Sequence, residues 1–464
     1  MKMNYDVVVV GAGPVGLWLA CELKLAGVDV VVLERRTGRT AQSRALTIHG
    51  RSLEVFALRG LADRFISAGK PISTGHYAAL DTRLDFSPFD TRFPYTLFIP
   101  QAVTEQRLEE RAVELGVVIL RGATASSILD DANQVHISTD SGEYSASYVV
   151  GADGARSMVR ECARIPYEGA EARNSLMLAD VVLASPPAKP VVSVTNDHGS
   201  VMIAPLGDGK HHRIVLVDPK RTHVSRTQPV TLEEVAGPTA LIIGEDYQPR
   251  DPIWLSRFAD ETRLAGTYRK GRVLLAGDAA HIHAPMGGQG MNVGLQDALN
   301  LGWKLAAVVK GEAPDKLLDT YDEERRPIGQ ILYTNTLAQV GLVTRFDPAT
   351  LALRETLNEL LNIPAVNHRL AGELSGFDVA YSADAKTAVS AGRLAAGARV
   401  PDIELIGQDG VSRSLYSLLV EGRWLHISFK SGASASGPKW LQSSSVQFLA
   451  TAPSDHPVLR GVQA

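Results

Sequence analysis

The chain contains little cysteine and no excess of either charge. Cys21 and Cys162 are the only cysteines among 464 residues, too few for a disulfide framework or a thiolate metal site and typical of a reducing cytoplasm. There are 47 Lys and Arg against 51 Asp and Glu, a formal net charge of −4, whereas a nucleic-acid surface normally carries a basic excess. We therefore expect a cytoplasmic protein that binds no nucleic acid.

Long apolar runs are also scarce. Lys2, the apolar stretch at residues 7–20 and Cys21 together have the outline of a lipid-anchored signal peptide. Asp6 interrupts the positive start, and three glycines and one proline interrupt the apolar stretch, so a strand, a turn and a helix describe these residues better. Elsewhere no run of about 18 uninterrupted apolar residues occurs, and we expect no membrane-spanning helix.

The sequence begins with the pattern of a strand–helix–strand unit. Residues 5–10 form a continuous apolar run of the kind found in parallel strands that are buried on both faces. Residues 14–26 have the spacing of a helix that ends at Gly27, and residues 28–33 form a second buried strand.

Three glycines connect the first strand to the helix. Gly11 permits a tight turn, Gly13 permits close approach of a pyrophosphate, and Gly16 permits close packing of the helix on the strand. Pro14 lies in the first helical turn, where free N–H groups and the positive end of the helix dipole favour phosphate. The unit predicts a dinucleotide site, and a purely structural glycine-rich turn is the alternative.

An acidic residue follows at the end of the second strand. Glu34 lies 18 residues after Gly16, where a carboxylate can accept hydrogen bonds from a ribose diol. Arg35 and Arg36 come next. In an NADP site such arginines bind a 2′-phosphate, in an FAD site one of them covers the adenine, and a solvated charge pair is the third interpretation.

A second glycine-bearing segment starts 266 residues after the first. Residues 272–276 have the pattern of a buried strand, and Asp278 follows a glycine, so its carboxylate can bond a sugar-like hydroxyl. A turn with free backbone donors then precedes a long helix at residues 292–309, an arrangement that stabilises the negative charge of a reduced flavin. One cofactor held from two distant stretches suggests FAD rather than NAD. The predicted cofactor residues of this segment are Gly277, Asp278, Pro285, Gly287, Gly288, Gln289, Gly290, Met291 and Asn292.

Two histidines in the same segment are candidate metal ligands. His281 and His283 have no third candidate ligand nearby in the sequence and lie inside the cofactor turn. We therefore predict packing or hydrogen-bonding roles for both rings, and no metal.

The rest of the chain divides into three regions. Residues 176–269 contain short β-like runs separated by Pro, Gly and Asp, which predicts a mainly antiparallel sheet. Residues 312–385 are rich in helical patterns and carry a charged stretch at 321–326 that Pro327 is expected to stop. A Gly- and Ala-rich linker leads to a final segment with a strand-like run at residues 424–429.

The motifs resemble the three signatures of class A, single-component flavoprotein aromatic hydroxylases. These are Gly-x-Gly-x-x-Gly with Glu34, the segment at residues 151–157, and the segment at residues 277–292. Shorter segments are similar to the branch that acts on polyketide antibiotics and rifamycins: residues 42–45, 100–101, 271–278 and 396–402. The resemblance covers about residues 4–405 and is most specific up to residue 330.

The resemblance implies roles for four further residues. Arg44 and Gln101 approach the flavin, Ala125 lies near the adenine, and Asp153 helps to structure the place where NADPH docks transiently. Asp153 also has a local interpretation, as a turn carboxylate that caps a helix beginning near residue 155.

The resemblance also implies a reaction. NADPH reduces FAD, O2 adds at the flavin C4a, and the hydroperoxide transfers one oxygen atom to an electron-rich ring of a bulky polycyclic aromatic, a polyketide or ansamycin-type antibiotic or its precursor. The flavin carries the chemistry, so we name no catalytic side chain. The predicted pocket residues are Met202, Pro205, Pro285 and Gly287, with ordinary core packing as the alternative for Met202.

The predicted fold is α/β. A Rossmann-like, three-layer FAD-binding domain occupies residues 1–175 and, with a helical segment, 271–385, and a substrate-binding sheet at 176–270 is inserted between the two parts. Residues 386–464 resemble a thioredoxin-like domain without its two redox cysteines, which we expect to be degenerate, incomplete and without redox chemistry. We expect a monomer or a homodimer.

Two other functions fit the sequence. A flavoprotein of the same fold can dehydrogenate, reduce or rearrange its substrate without oxygen insertion. A non-catalytic protein can bind and sequester an aromatic drug. Loss of Asp278 or of the pattern at 287–289 would favour the binder, and both are present.

Overall fold

The computed structural model describes residues 3–40, 42–131, 133–390, 395–407, 409–428 and 445–449. The helices in this part of the chain are α1 (Pro14–Leu25), α2 (Gly50–Ala57), α3 (Ala62–Ile66), α4 (Gln101–Glu114), α5 (Met158–Cys162), α6 (Leu232–Ile243), α7 (Gly290–Val309), α8 (Asp319–Val343), α9 (Pro348–Leu360), α10 (Pro364–Ser375) and α11 (Ala383–Ser390). The strands are β1 (Asn4–Val10), β2 (Val30–Glu34), β3 (Thr47–Ile48), β4 (Lys70–Ile72), β5 (Thr74–Gly75), β6 (Leu84–Asp85), β7 (Thr96–Phe98), β8 (Val118–Arg121), β9 (Ala125–Asp130), β10 (Val135–Thr139), β11 (Gly142–Gly151), β12 (Tyr167–Ala170), β13 (Ser175–Leu183), β14 (Val192–Asn196), β15 (Gly199–Pro205), β16 (His211–Val217), β17 (Pro249–Ala259), β18 (Thr262–Ala265), β19 (Arg269–Lys270), β20 (Val273–Leu275), β21 (His281–Ile282), β22 (Glu404–Ile406), β23 (Ser412–Ser414), β24 (Trp424–Ser428) and β25 (Ser445–Leu449).

An eight-stranded sheet carries the two predicted cofactor turns. Its central strand, β1, pairs in parallel with β11 on one side and with β2 on the other. β8 continues the sheet beside β2, and β20 continues it beside β11. Val7, Val8 and Val9 of β1 are fully buried, as expected for a parallel strand covered on both faces. The predicted α/β class and the first strand–helix–strand unit are confirmed.

Helices close to the sheet hold the first turn in place. α1 packs against both α7 and α4. Trp18 of α1 meets Phe56 of α2 edge to face, with ring centroids 5.2 Å apart, and Phe56 stacks on Phe65 of α3 at 4.1 Å. Such aromatic pairs add directional contacts to the burial of apolar area, so α1 has one defined orientation on the sheet.

The inserted region forms a five-stranded antiparallel sheet in the order β14-β15-β16-β13-β17. Alternate residues of β15 and β16 point to opposite faces, and α6 packs on the face that carries Ile203 and Ile214. α6 was not expected from the sequence, although Thr231 and Glu234 form a capping box at its N-terminus. Pro238 lies inside this helix, a position at which proline is normally disfavoured.

The prediction that Pro327 ends a helix is wrong. α8 continues through Pro327 to Val343, although a proline inside a helix removes one hydrogen bond and costs about 3 kcal/mol. Packing on both sides outweighs that cost. Arg325 is fully buried, and a Cβ on Gly329 would overlap the hydroxyl of Tyr268, so this part of α8 lies tightly against the strands beneath it.

The last described segments form two small strand pairs. β22 and β23 are antiparallel, and β24 and β25 are parallel. The predicted strand at 424–429 is present as Trp424–Ser428, and residue 429 lies outside the described residues. Arg399, which precedes these strands, forms ion-pair contacts of 2.6 and 2.8 Å with the buried Glu54 of α2. Of the predicted thioredoxin-like domain, residues 391–394, 408, 429–444 and 450–464 lie outside the described residues.

Among the described residues, no helix combines the length and the apolar character that a bilayer span requires.

Candidate active site

The turn between β1 and α1 requires glycine at two positions and leaves open space at a third. Gly11 has a φ of +108°, and a Cβ there would overlap the carbonyl oxygen of Ala152. A Cβ on Gly16 would overlap the carbonyl oxygen of Gly11. At Gly13, no atom of the described chain lies within 4 Å of the position a Cβ would take, its chain neighbours aside. The open side of the turn is a cradle of the kind that accommodates a pyrophosphate.

Glu34 is fixed beside this turn. Its Oε2 accepts a hydrogen bond from the N–H of Ala12 (2.8 Å), and its Oε1 accepts one from the N–H of Arg36 (2.9 Å). These bonds orient the carboxylate and leave further lone pairs for ribose hydroxyls. The side chain of Arg35 is exposed, and Ala125 begins β9 in a half-buried position. Their roles toward the adenosine remain predictions.

The two predicted cofactor turns lie against each other. Gly277 has a φ of +61°, and a Cβ there would lie 2.9 Å from the Val15 side chain in the first turn of α1. A Cβ on Gly294 of α7 would lie 3.0 Å from the Cα of Gly277. Stretches of chain more than 260 residues apart in the sequence therefore meet at one edge of the sheet, as a single cofactor spanning both requires.

The Asp278 carboxylate is reachable by water, and the structure gives it no hydrogen-bond partner among the described residues. Its carbonyl oxygen accepts a hydrogen bond from the Tyr167 hydroxyl (3.2 Å). Protein packed around the carboxyl raises its pKa above the usual value, and the nearby charges of His281 and Arg44 lower it in part. A carboxylate with free lone pairs at the edge of a cofactor turn is suited to accept a hydroxyl of a sugar or polyol chain.

The glycine-rich turn at residues 285–292 ends in backbone N–H groups that are free to donate hydrogen bonds to a ligand. Gly287 and Gly288 have φ values of +67° and +66°. The N–H groups of Gly290 and Met291 have no acceptor within the described part of the chain, as expected for the first turn of an α-helix. The positive end of α7 is therefore available to an anionic group such as a reduced flavin.

The Asn292 side chain serves the protein rather than a ligand. Its Oδ1 accepts a hydrogen bond from the N–H of His49 (2.8 Å), and its Nδ2 donates to the carbonyl oxygens of Thr47 (3.1 Å) and Gly288 (2.9 Å). Asn292 therefore fastens the segment before α2 to the glycine-rich turn. A cofactor contact at this position would use the backbone.

His49 belongs to the site and was missed in the sequence. Its Nε2 lies 2.8 Å from the carbonyl oxygen of Gly287, and its Nδ1 lies 3.0 Å from the Thr96 hydroxyl. Because a carbonyl only accepts, Nε2 carries the proton and Nδ1 accepts from Thr96. No local pattern marks His49, since these partners are 238 and 47 residues away.

The two histidines of the second segment use their rings for hydrogen bonds, as predicted. His281 Nε2 lies 2.8 Å from Oδ2 of Asp297. His283 Nδ1 donates to the carbonyl oxygen of Ala284 (2.6 Å).

Asp153 acts locally in the structure. Its Oδ2 accepts a hydrogen bond from the N–H of Val159 (3.2 Å), while Ser157 caps α5 by accepting from the N–H of Arg160 (3.0 Å). The helix begins at Met158, later than expected. These contacts support the capping interpretation, and the role toward NADPH remains a prediction.

The segment that carries Arg44 is held by the inserted sheet. Arg213 of β16 donates to the carbonyl oxygens of Arg44 (3.0 Å) and Ser43, and it forms a bidentate ion pair with Asp180 (2.8 Å for both contacts). Both charged groups of this pair are buried. The Arg44 side chain is exposed and therefore free to meet a ligand.

Gln101 supports the same segment from α4. Its Oε1 accepts a hydrogen bond from the N–H of Ala45 (3.0 Å), and its Nε2 donates to Glu105 (2.7 Å). Both polar ends of the amide are thus engaged with protein, so Gln101 fixes the backbone beside Arg44.

The predicted pocket residues divide between two places. Met202 is half-buried on the sheet face opposite α6, whereas Pro205, three residues further along β15, has the opposite parity. On the Met202 face, Leu176 and Val217 pack with Ala284 and Met286, which flank Pro285. This sheet face therefore approaches the segment that contains Pro285 and Gly287.

A family model described as an FAD binding domain matches residues 4–336, from β1 to α8. The chain belongs to this FAD-binding family. The family membership explains why two remote turns converge, because the matched region contains both of them. FAD is the cofactor of the protein.

Individual relatives indicate which type of reaction the enzyme catalyses. The chain is 46% identical over 438 residues to an uncharacterized aromatic compound monooxygenase of Bacillus subtilis (strain 168), covering 93% of this chain and 87% of that protein. It is 41% identical over 426 residues to a rifampicin monooxygenase of Streptomyces venezuelae, covering 91% and 86%. This member of the FAD-binding family is therefore a flavin-dependent monooxygenase of the aromatic hydroxylase type.

Solved structures show the same fold over nearly the whole chain. The OxyS anhydrotetracycline hydroxylase of Streptomyces rimosus matches with a TM-score of 0.85 at 39% identity, covering 98% of this chain and 91% of that one. A Diels-Alderase of pyrroindomycin biosynthesis matches with a TM-score of 0.84 at 33% identity, covering 98% and 93%.

Acid should destabilise this FAD-binding protein through the buried His49 and the half-buried His76 and His283. Burial lowers the pKa of His49, His76 and His283 to about 4, whereas histidines of the unfolded chain titrate near 6.5. Between these values the unfolded state binds more protons, so the stabilisation is complete above about pH 6.5 and is lost as the pH falls toward 4. From pH 7 to pH 5.5 the free energy of unfolding of the apoprotein should fall by about 1 kcal/mol for each histidine.

Urea unfolding at several pH values measures this loss. In a His49→Gln variant, the decrease between pH 7 and pH 5.5 should be smaller by about 1 kcal/mol, which is the contribution of His49. An unchanged pH slope in the variant would show that His49 does not contribute.

Proposed function

We propose that this monooxygenase uses NADPH and O2 to hydroxylate a bulky, electron-rich polycyclic aromatic of polyketide or ansamycin type. The observation that carries the proposal is the meeting of three parts at one place. The two cofactor turns adjoin each other at Gly277 and Val15, and the face of the inserted sheet that bears Met202 packs on the segment around Pro285. A substrate between that face and the cofactor would lie within reach of the flavin.

When bound, FAD supplies the hydride acceptance and the oxygen activation. The side chains of the protein bind and orient. The free N–H groups at the start of α7 would donate hydrogen bonds to a group of the cofactor on which negative charge develops. Arg213 holds the backbone of Ser43 and Arg44 against the sheet. The apolar contacts of Leu176 and Val217 with Met286 close one end of the space and exclude water.

The names of the relatives indicate a large substrate. A rifampicin monooxygenase and an anhydrotetracycline hydroxylase carry names of multi-ring substrates, and both cover most of this chain. We infer a substrate of the same class, with a phenol-like ring that donates electrons to the oxygen atom. The reductant is NADPH that docks transiently, because the chain has one Gly-x-Gly-x-x-Gly turn after a strand and FAD uses it. The enzyme acts in the cytoplasm as a monomer or homodimer.

A rearrangement without oxygen insertion is the second candidate. The match to a Diels-Alderase at a TM-score of 0.84 is the observation that favours it, since this shows the same fold around a different type of reaction. The non-catalytic binder has no comparable support.

Turnover in 18O2 separates the two candidates. The holoenzyme, supplied with NADPH and a panel of polycyclic phenols that includes an ansamycin and a tetracycline-type compound, should convert at least one of them. The product should gain one labelled oxygen atom by mass spectrometry. Conversion of a compound without incorporation of label would show that the protein catalyses a rearrangement. Consumption of NADPH that yields only H2O2 would exclude the tested compounds as substrates.

A further inference from the structure

The charged stretch at residues 321–326 turns one side of α8 into the protein interior. Tyr321 and Arg325 are both fully buried. The Tyr321 hydroxyl donates a hydrogen bond to the carbonyl oxygen of Leu275 (2.7 Å), the last residue of β20. This part of α8 therefore packs directly behind the strand that leads to Asp278.

Arg325 forms a fully buried ion pair with Asp297 of α7. Its Nε donates to Oδ1 of Asp297 (2.7 Å), and its Nη2 donates to the carbonyl oxygen of Val293 (3.2 Å). Burial alone would raise the pKa of the Asp297 carboxyl, but Arg325 and His281 outweigh it and lower the pKa below its usual value. Asp297 is therefore a charged group in the interior, fixed from one side by Arg325.

The other oxygen of Asp297 faces the cofactor turn. Oδ2 accepts hydrogen bonds from the N–H of Gly277 (3.3 Å) and from Nε2 of His281 (2.8 Å). Gly277 and His281 lie on either side of Asp278 in the chain. One carboxylate thus holds both ends of the short segment that presents Asp278.

We propose that Asp297 is a positioning residue that sets the direction in which Asp278 presents its carboxylate to FAD. Asp297 acts through Gly277 and His281, and Arg325 keeps it in place. The same ion pair joins α7 to α8, so the free N–H groups at the start of α7 and the Asp278 turn keep a fixed relative position. Both must meet one cofactor, and buried ion pairs serve such registry roles in other proteins.

The inference rests on the proposed assignment of Asp278 to the cofactor. It is tested by FAD affinity, which does not depend on the reaction catalysed. Failure of the 18O2 experiment would therefore leave it standing, and its own failure would leave the monooxygenase reaction standing.

The decisive experiment compares two double variants. Asp297→Asn with Arg325→Met removes both charges but keeps an oxygen that accepts from Gly277. Asp297→Leu with Arg325→Met removes both charges and that acceptor. Removing both members of a buried pair avoids an isolated buried charge. Each apoprotein is titrated with FAD, and binding is followed by flavin fluorescence. The leucine variant should bind FAD about tenfold to a hundredfold more weakly than the asparagine variant, the scale of loss when a hydroxyl of the cofactor loses its acceptor.

A second readout tests whether Asp297 acts through Asp278. In an Asp278→Ala background, the two double variants should bind FAD with affinities within about twofold of each other, since coupled effects are not additive. If the leucine variant does not fold, His281→Phe keeps the ion pair, removes one tether and should bind FAD more weakly than the unmodified protein.

Glu234→Gln is the matched control. It removes the charge and one acceptor oxygen from the ion pair with Arg257, where the contacts are 2.8 and 2.9 Å and the Arg257 side chain is fully buried in the inserted sheet. FAD affinity should stay within about twofold of the unmodified protein. Equal FAD affinities of the two double variants, or a difference that persists in the Asp278→Ala background, would overturn the proposal.

Discussion

Replacing Gly16 by alanine should disrupt the fold, whereas replacing Gly13 by alanine should spare the fold and weaken FAD binding. A Cβ added at Gly16 has no space, because the carbonyl oxygen of Gly11 already occupies its position. We expect a loss of about 3 kcal/mol or more in the free energy of unfolding, at or beyond the upper end for overpacking.

Gly13 offers the opposite case. Its φ of −76° suits any residue, and no described atom besides its chain neighbours lies within 4 Å of a Cβ. The free energy of unfolding of the apoprotein should change by about 1 kcal/mol at most, the cost of a poorer N-cap. The added methyl group enters the space left for the pyrophosphate, so the Kd for FAD should rise about tenfold to a hundredfold.

Urea unfolding of the apoproteins and titration with FAD measure both effects. Gly209→Ala serves as a control for Gly16→Ala, because it too adds a methyl group at a glycine but meets no neighbouring atom in the described chain. Its φ of +75° makes it cost about 1 kcal/mol through backbone strain. A Gly13→Ala variant that binds FAD normally would place the pyrophosphate elsewhere.

Removing the carboxylate of Asp278 should lower the affinity of the protein for FAD. In an Asp278→Ala variant, FAD binding should weaken by about 1–3 kcal/mol, because a hydroxyl of the bound cofactor loses its acceptor. Asp278 makes no side-chain hydrogen bond among the described residues, and its raised pKa makes the charged form less favourable in the folded state, so the free energy of unfolding of the apoprotein should not fall. The measurements are the fraction of FAD retained after gel filtration and the Kd by fluorescence titration.

Asp197→Ala supplies the matched control for this variant. Asp197 is a strongly exposed carboxylate in the turn between β14 and β15, so its loss should leave FAD retention unchanged. Equal retention by the Asp278→Ala and Asp197→Ala variants would contradict the assignment of Asp278 to FAD.

The sequence predicts the parts of the site that depend on local geometry. Gly11 and Gly16 are recognisable because a tight turn and a close helix–strand contact require glycine at that spacing, and the structure shows both contacts. The buried strand β1 is recognisable because a parallel strand covered on both faces is apolar throughout. Short-range physics fixes these features, so a single sequence reveals them.

Features that depend on long-range partners were not predictable. His49 bonds to Thr96 and Gly287, and Asp297 bonds to Arg325 and His281, and neither residue has a distinctive neighbour in the chain. The helix through Pro327 was missed for the same reason. Packing around Arg325 and Gly329 outweighs the local cost of a proline, and only the folded structure shows that packing.

The path of the chain through the eight-stranded sheet has a consequence for how such enzymes diversify. The chain leaves this sheet after β11 and returns through β19 to β20, and β20 lies beside β11 in parallel, with Val149 opposite Val273. The exit and the return point lie side by side, so the intervening segment can lengthen, shorten or change shape without shifting the register of either strand. Evolution can therefore exchange or reshape the inserted sheet while the eight-stranded sheet and its two glycine turns stay constant.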